Sequence, residues 1–401
     1  MPPPIQPDPD VGGPFVVAPA AQPMTVSAHS SGPVGTGMHA PPTQRELFLM
    51  SVLSAMVVWA TVFLLHRSFG VILDYGDNGV YLEVANAIRR WDFHGLDIQH
   101  FMGYPYFIAA FSLLFHLPPF FALWLIAVSS ALVSVVLASR LLGPWTAGYF
   151  AVTNFVWLQL AFLGGSEPLA LALGLAALVC FRRNRIFFAA LLGSLSFTVR
   201  PLMCFVIVGI GVVLLVQKKF GPFFVALGTG VAVGSLYVLP LAIYFGDPLL
   251  TVHSYTTRDY GGGGVAGPHG QLFGWPFHGI VAGTLAYPAP WSNLLLSFFW
   301  IGLVVAGVGM MFSRSFREYA RAHPNEVIFC GLYLLATFSY DYLIWARSNF
   351  VRFCIPALPF VFYALSRFLP KDRRILWVLG VLNAVAAALS AIGVRNVVRI
   401  P

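Results

Sequence analysis

From residue 46 onward, apolar runs alternate with short polar interruptions along almost the whole chain. A helix that crosses a bilayer needs roughly 20 apolar residues. The stretch 46–66, ELFLMSVLSAMVVWATVFLLH, is the first of that length. Further runs follow at 120–139, 144–163, 167–181, 186–200, 202–216, 221–245, 291–312, 326–346, 353–369 and 375–394. Together they predict an all-α polytopic membrane protein with about eleven spans, although Arg200-Pro201 also fits a kink within one longer helix. The run from Gly103 to Leu117, closed by Pro118-Pro119, is shorter and suits an interfacial or re-entrant segment better than a crossing.

Two longer polar interruptions stand out. Residues 67–119 read as a first extracytoplasmic loop. Within it, 78–91 has the spacing of an amphipathic juxtamembrane helix, with Val80, Val84, Ala87, Ile88 and Trp91 on one side. Glu83, Asn86, Arg89 and Arg90 occupy the other side. Residues 246–290 form the second long loop, also expected outside, and its Gly261 to Gly264 run reads as a mobile loop or lid. Residues 1–44 are rich in Pro, Gly, Ala and Ser, which predicts a disordered cytoplasmic tail ahead of one transmembrane domain over 45–401. The tail lacks the basic start and apolar core of a secretory signal.

Composition sharpens this picture. Hydrophobic residues make up 58% and charged residues 9% of the chain, against about a quarter charged in soluble domains. Mean hydropathy is +0.79. Lipid, not water, is the main solvent. The net charge of +8 lies in short clusters between apolar runs, at Arg182 to Arg185, Lys218-Lys219, Arg314 to Arg321 and Lys371 to Arg374. With residues 103–117 not crossing, all four clusters fall on one side, as the positive-inside bias requires of cytoplasmic loops. The same distribution argues against nucleic acid as a partner. Cys180, Cys204, Cys330 and Cys354 lie in or beside apolar runs and form no CxxC pair, so they read as small hydrophobes.

The polar side of the topology then holds the candidate chemistry. Residues 73–106 carry Asp74, Asp77, Glu83, Asp92 and Asp97, five of the 15 acidic residues. Asp77 stands at the start of the amphipathic segment, where it reads either as a helix N-cap or as a catalytic base, and Asp74 is the substitute. Two carboxylates this close suit either a divalent metal or a raised pKa on one of them. Glu167, flanked by Gly165, Ser166 and Pro168, opens a span, and an acid at a membrane edge is a functional candidate by default. Arg200 and Arg352 are the cationic counterparts. A guanidinium at either position can hold a phosphate through paired hydrogen bonds, or pair with Asp341, Glu167 or lipid headgroups. His100, His253, His269 and His278 show no HxxxH or HExxH spacing, which gives no support to a zinc hydrolase.

Taken together, these motifs resemble those of the GT-C fold glycosyltransferases, the group of the protein O-mannosyltransferases and the aminoarabinose transferases of lipid A. Gly76-Asp77-Asn78-Gly79-Val80-Tyr81-Leu82-Glu83 is similar to that group's first-loop motif, and His100-Phe101-Met102-Gly103-Tyr104-Pro105 to the stretch that follows it. Gly165-Ser166-Glu167-Pro168-Leu169, Thr198-Val199-Arg200-Pro201 and the 352–359 segment also match recurrent patterns. Many members have Asp-Glu where this chain has Asp77-Asn78. The resemblance implies a GT-C-like bundle in the plasma or inner membrane with its site on the extracytoplasmic side. It implies a polyprenyl-phosphate sugar as donor and a lipid, glycan or protein hydroxyl as acceptor. Asp77 would be the base, with Glu167 orienting the acceptor or sugar and Arg352 and Arg200 on the donor phosphate. Tyr81, His100 and Tyr104 would line the substrate cavity with Asp74. No cofactor is implied, and metal use stays open. The competing readings are a transporter or flippase, which would carry ionisable residues near mid-membrane, and a non-catalytic subunit that binds a lipid-linked sugar.

Overall fold

Thr43 and Glu46 start the first helix with a reciprocal cap. Thr43 N donates to Glu46 Oε2 at 2.7 Å and Glu46 N to Thr43 Oγ1 at 3.2 Å, which satisfies two otherwise orphaned amides. The computed structural model describes residues 40–66, 71–73, 77–93, 96, 98, 100–257, 273–286, 291–393 and 397–399. The expected tail, Asp74, His269 and the Gly261 to Gly264 lid lie outside the described residues, or almost wholly so in the tail's case.

The described chain is a helical bundle. Helix α1 (Gln44–His66) leads through residues 71–73 to α2 (Asp77–Arg90) and α3 (Gly103–Phe115). There follow α4 (Pro119–Leu142), α5 (Pro144–Thr153), α6 (Phe155–Phe162), α7 (Glu167–Arg182), α8 (Ile186–Val199), α9 (Cys204–Val216) and α10 (Phe220–Phe245). The second long loop contains α11 (Leu250–Thr257) and α12 (His278–Ala286). The rest is α13 (Trp291–Met311), α14 (Arg314–Ala322), α15 (Pro324–Ser339), α16 (Leu343–Ser348), α17 (Phe350–Phe353), α18 (Leu358–Leu365) and α19 (Arg373–Gly393). One short antiparallel ladder joins Val71–Leu73 to Val397–Arg399.

Five of the described helices, α1, α4, α10, α13 and α19, are long and apolar enough to cross a membrane. Helices α6 and α7 pass the same test together but bend by 98°, which gives six if they form one broken span. The count of eleven is not confirmed. Helices α8, α9 and α15 have 14, 13 and 16 residues, short of a full crossing on their own. The run 144–163 is divided at Asn154, whose Oδ1 accepts from the amides of Val156 and Trp157 and so starts a new helix. The run 326–346 stops at Ser339, and 353–369 is split among α17, a 3₁₀ turn at 355–357 and α18.

Helix α7 fixes the two ends of the bundle. Its last residue, Arg182, donates to Glu326 in α15, to Tyr319 in α14 and to Leu141 O at the close of α4. The basic runs at 182–185 and 314–321 meet at that end. Its first residue, Glu167, lies roughly 22 Å away at 1.5 Å per residue. Helices α2 and α3 pack side by side at the Glu167 end. Tyr104, in the first turn of α3, donates to Leu123 O near the start of α4, although the last turn of α3 is what joins α4. Both ends of α3 therefore lie near one end of α4. In α2 the buried residues are Asn78, Tyr81, Val84 and Ala85, a helical stripe that shares Val84 with the expected one and is rotated from it by about a quarter turn. Trp91, placed on that buried face by the sequence pattern, is instead 68% exposed.

Candidate functional site

Helix ends of suitable polarity supply the charges. Asp77 and Glu167 are the first residues of α2 and α7, where the helix dipole favours a carboxylate. Arg200 follows the last residue of α8, where it favours a cation. Glycine makes the approach to Glu167: Gly164 has φ of 99°, and a Cβ on Gly165 would sit 2.7 Å from Leu160. Asn78 Nδ2 donates to Gly164 O at 3.1 Å, and the Tyr81 and Ser166 hydroxyls share a bond at 3.4 Å. Helix α2 is thereby pinned to the turn that presents Glu167.

Arg352 in α17 bridges the two acids. Its Nε donates to Glu167 Oε1 and its Nη2 to Asp77 Oδ2. Arg200 Nη2 pairs with the same Glu167 oxygen. His100 Nε2 lies 3.3 Å from Asp77 Oδ1. The structure thus brings Asp77, His100, Glu167, Arg200 and Arg352 into one cluster from five separate segments. Glu167 and Arg352 are 2% and 6% exposed, so these charges are compensated by one another far more than by water. Arg200 Nε and Glu167 Oε2 are buried without a hydrogen-bond partner, and Arg200 Nη2 reaches Glu167 as an ion pair.

Burial pushes the Asp77 carboxyl up, but the charges of Arg352, His100 and Arg200 outweigh it and hold it below the usual carboxylate range. Burial and the Asp77 charge push the Tyr81 phenol up, which keeps its proton in place. Tyr81 and Tyr104 are 4% and 0% exposed, and their rings meet edge to face at 5.2 Å. They form packed support beneath the acids rather than an open wall. His100 does reach the cluster, with its ring 5.6 Å from that of Tyr81.

Several sequence expectations resolve differently. Asp77 turns its carboxylate to Arg352 and His100 rather than acting only as a cap. Asp341, one of the expected partners of Arg352, instead pairs with His278 Nδ1 at 2.6 Å, and His253 pairs with Asp247 at 2.7 Å. Arg347 donates to Gly283 O, tying α16 to α12. Among the described residues no group of three His, Cys, Asp or Glu side chains is placed to hold a metal ion. The sequence reading missed Asn78 as the link to Gly164. Its signal was the departure at Asp77-Asn78, since an amide can donate where a second carboxylate cannot.

An apolar helical bundle carrying a buried cluster of paired charges at one end defines an integral membrane protein. No family model matches the sequence, and no curated protein matches it. The crystal structure of ArnT from Cupriavidus metallidurans in the apo state is similar at a TM-score of 0.47 and 16% identity, over 82% of this chain and 61% of that one. The chain thus spans less than two thirds of that protein's length. A likeness of that size carries no functional weight; the side chains must.

Proposed function

We propose that this protein is a membrane glycosyltransferase of the GT-C type that moves a sugar from a polyprenyl-phosphate donor to a hydroxyl acceptor on the extracytoplasmic side. The observation that supports it is the convergence of Asp77, Glu167, Arg200, Arg352 and His100 at one end of an apolar bundle. Such a bundle admits a lipid substrate sideways, and buried charges in a membrane protein are costly enough to be kept for use.

The acceptor oxygen attacks the anomeric carbon as its proton passes to Asp77. The bond from that carbon to the phosphate oxygen breaks, and polyprenyl phosphate leaves as an anion. Arg352 and Arg200 stabilise the charge on the phosphate. Glu167 holds both guanidinium groups in place and orients the acceptor or the sugar. Direct displacement inverts the anomeric centre. Arg352 also gives the base a switch. While it pairs with Asp77 the carboxylate is a weak base; once it turns to the donor phosphate, Asp77 recovers basicity with the donor already in place.

The test is transfer from a panel of radiolabelled polyprenyl-phosphate sugars to a crude extract of envelope lipids and glycans. Wild type and Asp77→Asn are compared in matched membranes. Wild type transfers, and the variant falls by about 10² to 10⁴-fold, the usual worth of a general base. Near-normal transfer by the variant removes Asp77 from that role. Transport of the labelled lipid without any transfer replaces the enzyme with a flippase.

A further inference from the structure

A second polar feature lies away from the charge cluster. A cavity of about 420 Å³ opens between the ends of α2 and α3 and the start of α4. Its polar groups are Arg89, His116 and Ser112, and its apolar walls are Leu113, Leu117 and the Pro118-Pro119 pair. Neither Arg89 nor His116 has a side-chain hydrogen bond or an ion pair among the described residues.

We infer that this cavity binds the phosphate of an anionic membrane lipid. The floor is built before any ligand arrives. His116 N donates to Ser112 O, Ser112 Oγ donates to Leu117 O at 2.5 Å, and Leu117 N donates to Ser112 O at 3.0 Å. His116 holds φ of 53° at the helix end, a position where glycine is favoured. A histidine there places an imidazole on the cavity wall at a cost in backbone strain. Two cation-capable side chains without a carboxylate between them suit a phosphate, which accepts several charge-assisted bonds.

The surroundings select lipid over free phosphate. Helix α4, a membrane-spanning candidate, starts at Pro119, so the cavity sits where headgroups meet acyl chains. Beside it Leu113, Leu114, Phe115 and Phe121 are 51%, 72%, 53% and 51% exposed. That apolar surface continues from the basic lip as an acyl chain continues from a headgroup. Asp77 and Arg89 share α2, about 18 Å apart along the helix. This lipid site therefore lies beyond direct reach of the charge cluster, and its occupancy is measured independently of transfer.

The experiment places the full chain in phosphatidylcholine nanodiscs doped with a photoactivatable phosphatidylglycerol and maps the crosslinks by mass spectrometry. Crosslinks fall within residues 113–121 in wild type. They drop about tenfold or more in Arg89→Gln/His116→Gln, as the loss of charge-assisted bonds implies. Both side chains are exposed and unpaired, so the variant keeps its fold, and Arg89→Lys retains part of the signal. Equal crosslinking by the double variant, or by a photoactivatable phosphatidylcholine, overturns the site. Displacement by excess inorganic phosphate makes it a site for free anions and overturns the lipid assignment.

Discussion

At the residue scale, Arg352 decides the state of the cluster. One guanidinium spans Glu167 and Asp77, so neither acid is uncompensated, and neither is fully available until the guanidinium moves. Asp77 shows this in its titration. Its carboxyl is lowered from 3.8 in the folded protein. The ion-pair stability it contributes is therefore fully present above that value and is lost as pH falls through the lower folded one. Asp77→Asn should lower stability by about 1 to 3 kcal/mol, the worth of a hydrogen bond to a charged group. The gap between wild type and variant should still be present at about pH 5, above the lowered Asp77 value. Thermal melts in detergent at that pH check it. A gap that closes by pH 5 would mean that Asp77 titrates there and that Arg352 does not hold it.

At the element scale, the close approach of α3 to α8 sets where His100 and Tyr104 stand. A Cβ on Gly103 would overlap the backbone carbonyl of Thr198, two residues before Arg200. Gly103→Ala should therefore push α3 away, cost about 1 to 3 kcal/mol in overpacking, and lower transfer as the cluster opens. Gly221 in α10 meets nothing within 4 Å, so Gly221→Ala should leave both melting temperature and transfer near wild type. Equal effects of the two changes would show that the α3–α8 contact does not position the site. The same elements show what a sequence reveals. Helix positions were legible because apolar run lengths carry them, and α4, α7 and α10 begin and end within three residues of the runs that announced them. Bends were not. Nothing in a hydropathy pattern announces the 98° turn before Glu167 or the break at Asn154, and so run lengths alone do not settle how many spans there are. The acids and arginines were legible for another reason: in a chain with so little charge, each one at an apolar boundary is conspicuous. Their pairing was not, because Arg352 meets Asp77 across 275 residues and Glu167 across 185.

At the scale of the whole molecule, α7 links two charged ends of different character. One holds the mixed cluster around Glu167. The other holds Arg182 with its second donor to Glu326 Oε2 at 2.8 Å, beside the basic runs that the positive-inside bias assigns to the cytoplasm. Helix α15 runs between the same ends, from Glu326 to the segment where Gly274 N and Phe277 N donate to Ser339 O and Phe338 O. Trp275 therefore marks the site end, at 86% exposed. Arg314, with a side chain 91% exposed, marks the basic end. Single cysteines at these positions, in a background with Cys180 and Cys204 replaced by alanine, turn sidedness into a labelling pattern. Cys330 and Cys354 are buried and stay silent. In intact cells a membrane-impermeant maleimide should label Trp275→Cys and leave Arg314→Cys unmodified until the membrane is permeabilised. The reverse pattern would put the cluster at the cytoplasmic face, where the donor and acceptor proposed above would have to be sought instead. Labelling of both in intact cells would place the two ends on one side and dissolve the end-to-end reading of α7 and α15.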